Sequence, residues 1–145
     1  MIDLIINPKS FEVLESPTGE YPLTFAEIYF QIGDEFFPEK SWGDFVTILL
    51  NNWIDNILFV IANKTQSARC FFMEGSYCFD IKPRGNNLLI HFIENNDCDH
   101  EKIVHREEVF VIDFMKMLQK NAALLVRLAK NHPRLCLEFL GVGQA

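Results

Sequence analysis

The chain lacks the short motifs that anchor most catalytic folds. It has no G-x-S-x-G, no Walker loop, no H-E-x-x-H and no dinucleotide fingerprint, so the commonest hydrolase, nucleotide and metalloprotease chemistries have no foothold in it. It lacks a C-x-x-C pair. Its cysteines, Cys70, Cys78, Cys98 and Cys136, are too widely spaced for a zinc knuckle or a thioredoxin-like motif and read as reduced, mostly buried thiols. It lacks a basic excess: 13 Lys and Arg face 20 Asp and Glu, a net charge of −7, which argues against a phosphate-binding surface and against nucleic acid as a partner. It lacks an unbroken hydrophobic run. The most apolar stretch, 45–62, is interrupted by Asn51, Asn52, Asp55 and Asn56, whereas a membrane helix needs about 20 apolar residues in succession. No basic segment precedes the apolar residues at the N-terminus, so a cytoplasmic address is the expectation. No repeat and no Pro/Gly-rich linker divides the 145 residues, which predicts one domain.

What is present is core material and uneven charge. Apolar residues make up 49% of the chain and 14 are Phe, which excludes intrinsic disorder and allows a core without metal or disulfide staples. Residues 1–60 carry Lys9 and Lys40 against ten acids, whereas residues 61–145 hold 11 basic and 10 acidic residues. The acidic excess therefore belongs to the opening part of the chain. It serves solubility, or it forms an electronegative face that steers a basic partner.

The hydrophobic periods outline the elements. Ala26, Ile28, Phe30 and Ile32 alternate with Phe25, Glu27, Tyr29 and Gln31, which predicts a strand over Leu23–Ile32. Gly33-Asp34 is a turn signal, and Glu35-Phe36-Phe37 can pair back. Ser41 with Asp44 reads as a capping-box variant opening a helix over Ser41–Ala62, with Trp42, Phe45, Leu49, Trp53, Ile57 and Val60 on its buried stripe. Leu58 widens that stripe, and Thr47, Asn51, Asn52, Asp55 and Asn56 form its exposed strip. Strands at Arg69–Glu74, Tyr77–Lys82 and Asn87–Glu94 follow as hairpins. A two-residue turn at Gly75-Ser76 sets Phe72 opposite Phe79. It puts Cys70, Phe72, Phe79, Ile81, Leu88, Ile90 and Phe92 on one sheet face, and Phe71, Met73, Cys78, Asp80, Lys82, Leu89, His91 and Ile93 on the other. Cys70 and Cys78 then point apart and cannot form a disulfide. A polar loop over Asn95–His100, a strand over Ile103–Val109, a helix capped by Asp113 and ending at Asn131, and an apolar tail at 135–140 complete the outline. Consecutive hairpins with two long helices imply an α+β domain, an antiparallel sheet of about five or six strands with both helices packed on it.

Candidate chemistry is sparse. Asp97-Cys98-Asp99-His100-Glu101 gathers metal-ligand types, but adjacent loop residues rarely converge on an ion, so no metal and no cofactor is expected. His91 shares a face with Cys78 on a neighbouring strand, and His105 lies near, yet a catalytic dyad needs a held hydrogen bond that spacing does not supply. No catalytic residue is assigned. Trp42 and Trp53 at helical spacing read as core. The apolar residues Phe71, Met73, Leu89 and Ile93 are too hydrophobic for a freely solvated sheet face. They are covered by another segment of the chain, or they meet a second subunit or partner.

Phe37-Pro38-Glu39-Lys40-Ser41-Trp42-Gly43-Asp44-Phe45, following Gly33-Asp34-Glu35 and leading to Asn52-Trp53, resembles a pattern in small bacterial proteins, among them immunity proteins of polymorphic and contact-dependent toxin systems. The resemblance spans residues 23–60 and implies a non-enzymatic cytoplasmic protein that binds a protein. The first expectation is thus a module that occludes a basic toxin domain, with Glu27, Tyr29, Asp34, Glu35, Glu39, Asp44 and Asp55 as contact residues. The second is a self-associating subunit, a homodimer through Phe71, Met73, Leu89 and Ile93. The third is a small-molecule enzyme with a pocket at His91 or His105.

Overall fold

The computed structural model describes residues 1–15, 22–97 and 100–131, and of Asn96 and Asp97 the backbone. The expected apolar tail at 135–140 lies outside the described residues, as does Cys98. The fold is α+β with two helices and antiparallel pairing throughout. Instead of one sheet it has two, of five and four strands. The described chain falls into two compact units, residues 2–51 with those from Met117 onward, and residues 52–116.

The first unit is organised around one strand. Its elements are β1 (Ile2–Ile6), β2 (Glu12–Leu14), β3 (Leu23–Ile32), β4 (Glu35–Phe37) and β5 (Gly43–Asp44). The alternation in β3 buries Ala26, Ile28, Phe30 and Ile32, joined on the same face by Leu4, Ile6 and Phe37. Phe30 pairs with Leu4 on one edge and with Phe37 on the other, so β3 is central.

Both flanks of β3 are interrupted in the same way. From Ile6 to Glu12 the flanking chain advances six residues while β3 advances three, from Ile28 back to Phe25. From Phe37 to Gly43 it again advances six against three, from Phe30 to Glu27. The surplus on the first edge folds into a single 3-10 turn, Pro8–Ser10, with proline where no backbone donor is needed. Asn7 N–H donates to Glu27 O at 3.1 Å, and Ser10 Oγ accepts from Glu27 N–H at 2.8 Å while donating to Asn7 O at 2.7 Å. A serine hydroxyl thus replaces the ladder acceptor that the bulge removes. On the other edge Trp42 O accepts from Ile28 N–H at 2.7 Å.

The second edge overturns the expected helix start. Gly43 and Asp44 pair with β3, so helix α1 is Val46–Ile61 and does not begin at Ser41. Ser41 has φ +65°, in the left-handed region, and caps nothing. Trp42 is not on the helix; its indole N–H donates to Asp44 Oδ2 at 2.9 Å, and Asp44 Oδ1 accepts from Phe45 N–H at 2.8 Å. The buried stripe of α1 holds as expected through Val46, Leu49, Leu50, Trp53, Ile57 and Val60. Its polar strip holds only in part, with Asn52 and Asp55 exposed. Thr47 bonds Thr24 at 2.5 Å and Asn56 donates to Arg69 O at 3.1 Å, while Ile48, Leu58, Phe59 and Ile61 are exposed.

Helix α1 ends in a Schellman motif. Lys64 N–H reaches Phe59 O at 2.9 Å, Asn63 N–H reaches Val60 O at 3.1 Å, and Asn63 sits at φ +59°. Helix α2 runs Val111–Ala129, with Asp113 inside its first turn instead of at the cap. In the first unit Leu118, Ala122, Leu125 and Ala129 are buried, and Asn121 donates from Nδ2 to Leu4 O at 3.2 Å and to Met117 O at 2.9 Å. Among the described residues no helix is long and apolar enough to cross a membrane.

The second unit is a meander of β6 (Ala68–Phe71), β7 (Tyr77–Arg84), β8 (Asn87–Asp97) and β9 (His100–Phe110). The β6–β7 register differs from the expected one by two residues: Cys70 lies opposite Phe79 and Phe71 opposite Cys78. Phe72 N–H still reaches Tyr77 O at 3.2 Å, which leaves a four-residue loop, Met73–Ser76. A slip of two preserves parity, so both face assignments survive and Cys70 and Cys78 are free thiols on opposite faces. The inner face buries Trp53 edge-on against Phe72 and Phe79, each at 5.1 Å, with the indole N–H donated to Phe71 O at 2.9 Å. Within the expected loop at 95–100, the described residues Asn95–Asp97 and His100 are strand: Asn95 pairs with Glu101 and Asp97 with His100, past two register shifts.

Because only a residue without Cβ strain fits the left-handed position freely, Asn63→Gly is expected to hold or raise stability, and Asn63→Val to lower it by about 1–2 kcal/mol. Urea unfolding of the two variants measures the difference.

Candidate partner-binding face

Strand pairing assembles the outward face of the five-stranded sheet. Residues directly opposite share a face, so Asp3 joins Gln31, Ile5 joins Tyr29, Glu12 joins Phe25, and Phe36 joins Gln31. The face therefore presents carboxylates at Asp3, Glu12 and Glu27 among Ile5, Phe25 and Phe36. None of β1 to β5 contains a Lys or Arg. Lys40 Nζ lies 5.6 Å from the centre of the Phe36 ring, and Lys9 is exposed on the 3-10 turn. Phe25 lies over Gly43, where a Cβ would come within 2.7 Å of its ring, and stands edge-on to Phe45 at 5.7 Å.

The expected contact residues fall into distinct environments. Asp34, Glu35 and Glu39 are exposed and close in sequence at the β3–β4 end of the sheet. Glu27 is half-buried and held: Asn7 Nδ2 donates to its Oε1 at 3.3 Å. Tyr29 is 8% exposed, packed edge-on against Phe36 at 5.7 Å, so it is framework and not an outward anchor. Asp44 is 3% exposed and both its oxygens accept bonds from within the chain, which removes it from any contact surface. Asp55 is exposed on α1 in the other unit. Asp3, Glu12, Ile5 and Phe36 were not among the expected contacts. Nothing in their local pattern distinguishes them, because only the pairing partners of β3 bring them to this face.

The outer face of the four-stranded sheet is divided. Phe71 is 52% exposed and Leu89 is partly so, but Ile93 is 3% exposed and is no contact residue; Met73, also 52% exposed, lies in the Met73–Ser76 loop and not on the sheet face as expected. A charged cluster crosses this face. Arg69 Nε donates to Asp80 Oδ1 at 2.7 Å and Nη2 to Asp80 Oδ2 at 3.0 Å, a two-point fork, and its Nη groups also bond both oxygens of Glu101. The two carboxylates hold the Arg69 guanidinium firmly in its charged form, and Arg69 pulls the Glu101 carboxyl below its ordinary range.

No reaction centre assembles from the candidate catalytic residues. Asp80 stands opposite His91, but Cys78 is buried and its thiol is pushed up by desolvation, the wrong direction for a nucleophile. His105 stands edge-on to Phe92 at 6.3 Å. Among the described residues no three His, Cys, Asp or Glu side chains converge as a metal site. An open groove of about 710 Å³ is lined by Ile61, Pro83, Leu88, Phe110, Ile112 and Asp113, with neither histidine in its lining. In comparisons with protein-family models, with curated proteins and with solved structures, nothing matches the chain.

Burial also governs Cys70, whose thiol is pushed up to about 12. A raised thiol value means that its share of stability is complete below about pH 9 and is lost as pH rises toward 12. Unfolding free energies from urea titrations between about pH 8 and 10.5 are expected to fall more steeply in the natural chain than in Cys70→Ala, by up to about 1.4 kcal/mol per pH unit.

Proposed function

We propose that this protein is a non-enzymatic binding module that meets a basic protein partner through the outward face and β3–β4 end of the five-stranded sheet. The observation that carries the reading is the union of Asp3, Glu12 and Glu27 with Ile5, Phe25 and Phe36 on strands that contribute no cation. Apolar groups of this kind supply contact area, and surrounding carboxylates accelerate encounter with a cationic surface and reject an anionic one. A basic toxin domain, occluded by the complex in the cytoplasm, is the partner that the Phe37–Phe45 pattern implies. Phe71, with Met73 in the adjoining loop, supports a second reading, self-association at this edge of the four-stranded sheet, which monomeric light scattering at high concentration would reject.

The triple reversal Asp34→Lys, Glu35→Lys, Glu39→Lys tests the first reading. These side chains are exposed, so stability is expected to change little. Association with a basic toxin domain, followed by stopped flow at low salt, is expected to slow about tenfold or more. Equal rates for the two proteins would sink the proposal.

A further inference from the structure

The Arg69 cluster joins the two edge strands of the four-stranded sheet. Across its outer face, one row runs Phe71, Cys78, Ile93, Ile103, and the neighbouring row runs Arg69, Asp80, His91, Arg106. Glu101, opposite Asn95, lies on the far side of the Cys78 row from Arg69. A bond between them therefore passes over Cys78 and Ile93. On a flat sheet the backbones of Arg69 and Glu101 would be about 20 Å apart, from strand spacing and rise alone. The register shifts at Phe92/Ile93 and Asn95/Asp97 fall where the sheet must curl to close that distance.

The exposures follow this path. Cys78 and Ile93, beneath it, are each 3% exposed, whereas Phe71 and Ile103, at the two ends of the same row, are exposed. The bridge itself is at the surface, with the Arg69 side chain 33% and that of Glu101 44% accessible, so solvent and ions reach the bond although they do not reach the residues under it.

We propose that the Arg69–Glu101 bond is a latch: closed, it draws β9 over the outer face of the four-stranded sheet, and released by salt or by a competing anion, it opens a continuous apolar strip from Phe71 through Cys78 and Ile93 to Ile103. The fork to Asp80 keeps Arg69 in place on its own side of the sheet, so release moves the β9 end. Cys78 reports the state of the latch, and Cys70 on the opposite face reports global unfolding.

The test is alkylation of the full chain by iodoacetamide under native conditions, with each cysteine resolved by mass spectrometry. Glu101→Ala is expected to raise the rate at Cys78 about five- to tenfold relative to Cys70, in line with loss of one charge-assisted bond near the surface. Arg69→Met, which keeps the apolar stem, is expected to do the same. One molar NaCl should raise the Cys78 rate in the natural chain and leave Glu101→Ala unchanged. An unaltered Cys78 rate in Glu101→Ala overturns the proposal, and so does a parallel rise at both cysteines.

Discussion

Satisfying both edges of β3 is the constraint on which the first unit depends. The strand buries one face completely, so each of its backbone donors and acceptors needs a partner in the chain. Neither flanking segment supplies an unbroken ladder. Each contributes two short stretches separated by a three-residue surplus, and each fills the gap with a different device. One edge uses the Asn7 amide and the Ser10 hydroxyl around Glu27, and the other uses the carbonyl of Trp42 against Ile28. Interrupted flanks also leave no long, flat edge open to another chain.

The same constraint reshapes the electrostatics. Glu27 lies where the first gap is plugged, so Asn7 holds its carboxylate as well as its backbone. Asp44 lies where the second flank resumes pairing, and it is consumed by Trp42 and Phe45. Exposed acids of this unit include Asp3 and Glu12 on the flanking strands and Asp34, Glu35 and Glu39 toward the β3–β4 end. In the second unit opposite charges meet directly, Arg69 with Asp80 and Glu101, and Arg84 with Glu108 at 3.3 Å. Charge in one unit is thus displayed on strands without cations, and charge in the other ties strands together.

Much of the local structure was legible in the residues. The Leu23–Ile32 strand and the Glu35–Phe37 return strand match their expected bounds, because alternation and a Gly-Asp turn are local signals. The face assignments on β6 to β8 held even though the register moved, since a two-residue slip leaves every side chain on its side. The buried stripe of α1 held for the same kind of reason. The start of α1 differs from the Ser41 expectation because Ser41 and Asp44 mimic a cap, while pairing with β3 outweighs a capping preference of about 1 kcal/mol. The polarity of Asn95–His100 reads as a loop, yet Asn95 and Asp97 pair with β9, a long-range ladder that local polarity does not encode.

The sequence by itself determined the α+β class, the inner faces of the strands, the excess of acid in the opening segment and the lack of catalytic motifs, because each of these is a property of residues near one another in the chain. The tertiary structure alone decided that the strands form two sheets, that Asp3 and Glu12 join Glu27 on one face, that Tyr29 and Asp44 are enclosed, and that Glu101 reaches Arg69 across Cys78. Each of those outcomes is a pairing between distant segments. Its free energy depends on which backbone groups remain unsatisfied elsewhere, and no local pattern encodes that.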